Sequence, residues 1–151
     1  LAGRGKTDGH VSVMLDYRDR TPGKPVATWK DECLTLELPG RSRGRIWVDA
    51  DTDDVIRIDE EIVGQYPVNV PRTKRNPIPR DPVMVLERAA ASTRYQVLTF
   101  HDPDETLLVP RSIETTDLWR SSGAPRMRIT QTFSHYRRFV GDSHLVTGTG
   151  P

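Results

Sequence analysis

Residues 44–59, GRIWVDADTDDVIRID, contain two short strand-like runs on either side of an acidic segment. The first run, Ile46-Trp47-Val48, consists of residues that favour strands, and apolar and polar side chains alternate over residues 56–59, as in a strand that buries one face. The segment between the runs is rich in Asp, whose side chain bonds nearby backbone N–H groups in turns. The stretch therefore predicts a β-hairpin. In one consistent register, one face is shared by Ile46, Val48, Ile56 and Ile58.

Alternation of the same kind occurs on both sides of this hairpin. Residues 33–38, CLTLEL, alternate strictly and stop at Pro39-Gly40, which predicts a strand whose leucines face the core. Twelve prolines and eleven glycines divide the chain into segments of about ten residues, as expected for an antiparallel sheet. Helical periodicity is scarce, so the chain is predicted to be all-β. The other members of the predicted apolar face are Leu34, Leu36, Leu38, Met127, Ile129 and Phe133.

The 151 residues fit a single β-rich domain spanning residues 1–151. Five prolines and several basic side chains mark residues 65–82, which are predicted to form a Pro-rich basic surface loop. The alanine-rich segment 89–92 is predicted to be a hairpin loop, because the Val and Tyr residues on its flanks favour strands over a helix.

The charge composition argues against several classes of function. Lys and Arg number 22 against 21 Asp and Glu, so the net charge of +1 gives no reason to expect nucleic acid as a partner. The basic clusters at residues 41–45 and 72–75 are interpreted as solvated, salt-bridged faces. No apolar run approaches the roughly 18 residues of a transmembrane helix, so no transmembrane segment is expected. Cys33 is the only cysteine, which excludes an internal disulfide.

The acidic turn also matches the spacing of a calcium-binding EF-hand loop, with Asp49, Asp51, Asp53 and Glu60 as the candidate ligands. Asp54, however, stands where that loop needs Gly, and the flanking segments resemble strands rather than helices. A structural hairpin is therefore favoured, with Asp53 in a left-handed conformation. Calcium is kept as the alternative, and no other cofactor is expected.

No motif in the sequence identifies a catalytic site. His101 and Asp104 lie in a segment whose residues are typical of a type I turn, so their presence does not require a catalytic role. The sequence contains no P-loop, no dinucleotide-binding glycine motif and no nucleophile elbow. We therefore expect a protein that is not an enzyme.

Three blocks of sequence together resemble a known group of proteins. They are residues 44–59, residues 95–100 with 107–114, and residues 132–139, TFSHYRRF. In this order they are similar to the C-terminal half of uncharacterised secreted bacterial proteins with a LolA-like, outer-membrane lipoprotein-sorting-like sheet. The chain departs from that group at Asp53, where Gly is usual, and in its inserted proline-rich segment.

The resemblance implies a curved antiparallel sheet, an incomplete barrel with little helix, of which this chain is expected to be a fragment. In the carrier relatives the concave apolar face receives acyl chains or a hydrophobic segment. The resemblance also implies a periplasmic or extracellular location, and it carries over no catalytic residue.

The expected function is that of a non-enzymatic binding module for a lipid, a lipoprotein or another hydrophobic ligand. The first alternative is a structural or assembly subunit that packs its sheet face or edge on partner chains in a larger assembly. The second alternative is a module stabilised by calcium at residues 49–60.

Overall fold

The computed structural model describes residues 3–31, 33–71, 82–101, 104–120 and 126–138, and it confirms the all-β prediction. Within these ranges every regular element is a strand, and no helix occurs. The strands are β1 (Gly3–Thr7), β2 (His10–Arg18), β3 (Val26–Lys30), β4 (Cys33–Glu37), β5 (Ser42–Asp49), β6 (Val55–Ile62), β7 (Tyr66–Asn69), β8 (Val83–Phe100), β9 (Glu105–Arg120) and β10 (Arg126–Thr132).

Eight strands form one antiparallel sheet. Strands β1, β2, β5, β6, β8, β9 and β10 follow one another across it, and β7 pairs with β8 only. Strands β3 and β4 form a separate two-stranded sheet. Because β1 and β10 lie at opposite ends of this order, the curved sheet is not closed into a barrel, as predicted.

The longest pairing joins β8 to β9, from Val85–Arg120 to Phe100–Glu105. The predicted hairpin loop at residues 89–92 is wrong, because this segment lies in the middle of β8. Ala91 pairs with Glu60 of β6 on one side and with Thr115 of β9 on the other. Two flanking strands supply the backbone partners of this segment, and such pairing outweighs the low β-propensity of alanine.

Strands β6 and β7 occupy successive parts of the same edge of β8. The predicted surface loop at residues 65–82 is therefore wrong in its first part, where β7 contains the buried side chains of Tyr66 and Val68. Pro67 lies between them with its side chain exposed, and proline suits the outer edge of a sheet because it has no N–H to leave unpaired. The remainder of the predicted loop, residues 72–81, lies outside the described residues.

The register separates the main sheet into two faces, because successive side chains of a strand point to opposite sides. We call one the charged face; its members are Asp16, Arg43, Arg45, Trp47, Arg57, Asp59, Glu61, Arg94, Glu114 and Arg128. We call the other the apolar face; its members include Val13, Leu15, Tyr17, Ile46, Val48, Ile58, Glu60, Ile62, Ala89, Ile113, Asp117, Met127 and Ile129.

The core lies at one end of the apolar face. Among the described residues, the buried apolar side chains are those of Tyr66, Val68, Val70 and Leu86, which come from β7, its extension and the start of β8. Tyr66 pairs with Leu86, so their side chains point to the same face. The two-stranded sheet of β3 and β4 lies over this end, while much of the apolar face farther along the sheet is uncovered.

Gly44 provides a test of the packing between β2, β5 and β6. A Cβ atom at Gly44 would lie 2.3 Å from the carbonyl oxygen of Asp59 and 2.6 Å from the ring of Tyr17. Gly44→Ala should therefore lower the free energy of unfolding by about 1–3 kcal/mol, the usual cost of overpacking, as measured by urea denaturation.

Gly5→Ala is the matched control, because the Cβ there would make only an ordinary 3.5 Å contact with Met14. Equal stability losses in the two variants would contradict the close packing of the Tyr17 ring on Gly44.

The turn between β5 and β6 confirms the left-handed conformation of Asp53, whose φ is 62°. Asp53→Gly should raise the free energy of unfolding by a few tenths to about 1 kcal/mol, because glycine adopts this conformation without steric cost. The neighbouring Asp54 does not have a positive φ. Asp54→Gly should therefore destabilise the protein, and a gain of stability there would show that the effect is not due to backbone conformation.

Candidate functional site

An open crevice separates the β3–β4 hairpin from the apolar face of the main sheet. Its volume is about 460 Å³, which lies within the range of small-molecule sites. The hairpin supplies one wall and the ends of β6, β8 and β9 supply the other. The lining residues are Leu34, Leu36, Leu38, Ser42, Glu60, Ile62, Leu86, Ala89, Asp117 and Trp119.

The wall that the hairpin supplies is formed by the alternating side chains of β4. Leu34 and Leu36 are half-buried, while Cys33, Thr35 and Glu37 are exposed. Leu38 continues the row past the end of the strand. The prediction that these leucines face inward is confirmed, although what they face is a crevice rather than a filled core.

A β-bulge builds the opposite wall. The register between β8 and β9 shifts between Leu86 and Arg88, so that Leu86 pairs with Trp119 and Arg88 pairs with Leu118. A bulge of this kind changes which face a side chain points to. The bulge thereby places Leu86 on the apolar face beside Ala89, while Trp119 reaches the same face by the ordinary alternation of β9, and all three line the crevice.

The hairpin is held over the sheet at both of its ends. At its base, the carboxylate of Asp19 accepts hydrogen bonds from the backbone N–H of Gly40 at 2.7 Å and from the N–H and hydroxyl of Thr21 at 2.8 and 2.6 Å. These bonds hold the pKa of Asp19 below its ordinary value, and the bond from the Thr21 hydroxyl contributes most. Near the tip, the indole N–H of Trp29 donates to the carbonyl of Asn69 in β7 at 3.1 Å.

The polar side-chain groups among the described lining residues are two carboxylates, the hydroxyl of Ser42 and the indole N–H of Trp119. Glu60 accepts a hydrogen bond from the hydroxyl of Tyr17 at 2.7 Å. Partial burial, together with this bond to an anion, raises the pKa of Tyr17 to about 12. Asp117 is half-buried, and its carboxylate makes no hydrogen bond or ion pair with another described residue.

The ten residues of the predicted apolar face divide into three groups. Leu34, Leu36 and Leu38 line the crevice. Ile46, Val48 and Ile58 lie on the apolar face beyond the crevice, where a bulge makes Val55, rather than Ile56, the partner of Val48. Met127 and Ile129 lie on the same face in edge strand β10 but are exposed, at 44% and 46%, and the half-buried Phe133 follows that strand.

The structure does not bring the four calcium candidates together. The Asp49 carboxylate accepts hydrogen bonds from the backbone N–H groups of Asp51 and Thr52, as in an ordinary Asx turn. Glu60 lies on the apolar face and bonds to Tyr17 instead. Within the described ranges, no group of three or more His, Cys, Asp or Glu side chains could hold a metal ion.

Two His–Asp pairs occur, of which the sequence indicated one. His101 and Asp104 are 2.8 Å apart, and both are 83% exposed at the tip of the β8–β9 hairpin. His10 Nδ1 lies 2.7 Å from Asp49 Oδ2, a pair that no local spacing in the sequence could reveal. The nearby hydroxyl of Ser12 bonds to Thr7 and to the carbonyl of Gly5, so it is not aligned with this histidine as a nucleophile would be.

The charged face is a network of paired side chains. Arg45 bonds to both carboxylate oxygens of Asp16, at 2.6 and 3.1 Å, and Arg57 does the same with Asp59, at 2.7 and 2.6 Å. The ring of Trp47 lies between the two guanidinium groups, whose carbons are 5.9 and 4.8 Å from its centre. The interpretation of the basic cluster at residues 41–45 as a salt-bridged face is therefore confirmed for Arg45.

Comparison with protein-family models, curated protein sequences and solved structures gives no significant match to this chain. Among the described residues, no helix is long and apolar enough to cross a membrane.

The turn at Asp49 makes folding dependent on pH. The hydrogen bond from the N–H of Asp51 is the main cause that holds the pKa of Asp49 below 3.8, and the bonds from Thr52 and His10 add to it. A carboxylate whose pKa is depressed by folding stabilises the protein above its unfolded pKa, and this stabilisation is lost as the pH falls through the folded pKa. Asp49→Asn should therefore lose less stability than the parent between about pH 6 and pH 3, as measured by urea midpoints.

Asp51→Asn is the control for this pH dependence, because only the backbone N–H of Asp51 takes part in the turn. This variant should keep the pH dependence of the parent. If Asp49→Asn loses stability with falling pH as steeply as the parent does, the loss of stability in acid has another source.

Proposed function

We propose that this protein is a non-enzymatic binding module that holds an aliphatic chain of a lipid, a lipoprotein or another hydrophobic ligand. The crevice beneath the β3–β4 hairpin carries the proposal, because its walls are mainly Leu, Ile, Ala and Trp side chains, of which all but the buried Leu86 are half-covered. The resemblance to secreted proteins with a lipoprotein-carrier sheet agrees with this role, and a periplasmic or extracellular location belongs to the same proposal.

The energetics favour an aliphatic occupant. Each methylene group that moves from water into an apolar site contributes about 0.8 kcal/mol, or roughly fourfold in affinity. A chain placed between Leu36 on one side and Trp119 on the other would also cover side chains that are now exposed to water. The free energy gained on binding would thus come from both the ligand and the protein.

The proposal is tested with uncharged alkyl maltosides of eight, nine and ten carbons, kept below their micelle-forming concentrations. Isothermal titration calorimetry should show one site, with the affinity rising by up to about fourfold for each added methylene. Leu36→Asn should weaken the binding of decyl maltoside by tenfold or more, since it places a polar amide in the wall of the crevice.

Leu15→Asn is the matched control for this experiment. Leu15 is 39% exposed on the same apolar face, but it is not one of the residues that line the crevice. This variant should bind as the parent does, and circular dichroism should show that both variants are folded. Equal weakening by the two substitutions, or no binding to the parent, would overturn the proposed site.

An assembly subunit is the second candidate function, and the exposure of β10 favours it. Every residue of this edge strand is exposed, Met127 and Ile129 among them, and its outer edge has no strand partner among the described residues. Unpaired strand edges and exposed apolar side chains are common features of interaction surfaces. A parent protein that binds no maltoside but sediments as a multimer would support this function instead.

A further inference from the structure

The polar groups of the crevice carry charge of one sign only. Glu60 and Asp117 lie on the apolar face on either side of β8, since Glu60 pairs with Ala91 and Asp117 pairs with Ala89. None of the described residues that line the crevice is Lys, Arg or His. The crevice therefore has two carboxylates and no balancing cation in its walls.

The two carboxylates differ from the other acidic side chains of the main sheet. On the charged face, the acidic groups of Asp16, Asp59, Glu61 and Glu114 are all paired with arginines. Glu60 instead accepts a hydrogen bond from a neutral phenol, and Asp117 makes no bond with another described residue. The negative charge of the crevice is thus left for a ligand to neutralise.

We infer that the crevice selects an aliphatic chain that ends in a cationic head group, an alkylammonium or alkylguanidinium rather than a carboxylate or phosphate. This inference rests on the proposed function and adds the charge of its ligand. The apolar walls hold the chain, and Glu60 and Asp117 bind the head group at the mouth. Glu60 is exposed, whereas Asp117 is half-buried, and its reduced contact with water strengthens a pair with the head group compared with one on an open surface.

The experiment compares ligands with the same chain and different head groups. Decyltrimethylammonium, decyl maltoside and decyl sulfate are titrated into the full chain below their micelle-forming concentrations. The cationic ligand should bind at least about fivefold more tightly than decyl maltoside, which corresponds to the upper range of an exposed ion pair. Decyl sulfate should bind the crevice less tightly than decyl maltoside, and higher salt should reduce the preference for the cation.

The double variant Glu60→Gln, Asp117→Asn should abolish the difference in affinity between decyltrimethylammonium and decyl maltoside when both ligands are titrated into this same variant. The matched control is Asp16→Asn, Glu114→Gln, which removes the same amount of charge from the opposite face. The single variant Asp117→Asn keeps the test open if the double variant does not fold, because this side chain has no bond to lose. Tetramethylammonium, which has no chain, should not compete with the decyl ligand.

The outcomes separate the inference from the proposed function. If decyl maltoside binds but the cationic ligand is not preferred, the inference fails and the crevice remains a site for aliphatic chains. If the control variant abolishes the preference as fully as the crevice variant does, the selectivity reflects overall charge and the inference is also overturned. If none of the three ligands binds, the proposed function itself fails.

Discussion

The ladder between β8 and β9 is the constraint on which the rest of the main sheet depends. It runs from Val85 to Phe100 on β8 and is the longest pairing among the described residues. Strands β6 and β7 share the outer edge of β8, and β10 pairs along β9. The register of this one pair therefore determines which side chains of five other strands reach each face: β6, β7 and β10 pair with it directly, and β5 and β2 follow through β6.

The crevice is a consequence of that ladder and of the limited cover that the hairpin provides. The bulge at Leu86 brings this side chain to the apolar face, where Trp119 lies by the regular alternation of β9, and the break between β6 and β7 places Tyr66 and Val68 beside them. A hairpin of two five-residue strands can cover only one end of an eight-stranded sheet. Close packing is therefore reached over β7, while the neighbouring part of the interface between the two sheets remains open.

Local alternation predicted the strands well where one face of a segment is polar. The strand of Leu34 and Leu36 and the hairpin around Asp53 are examples, because a period of two and the turn chemistry of aspartate are local properties. The interruption expected at Ala89–Ser92 was wrong, because the pairing that makes this segment a strand comes from residues far away in the sequence. The same holds for the crevice, whose lower wall depends on a bulge that alternation alone does not reveal, and for the His10–Asp49 pair.

The position of Asp117 is hard to explain by folding alone. Its neighbours in the crevice are Ala89, Leu86 and Trp119, and an apolar side chain there would bury more surface without the cost of removing a carboxylate from water. On the charged face, by contrast, acidic groups are paired, as Asp16 and Asp59 are with Arg45 and Arg57. A departure from the rules of stable packing that is confined to one site is more typical of binding than of structure. In the proposed function, the carboxylate of Asp117 and the open crevice belong to one site, and the negative charge there would limit which ligands the site could hold.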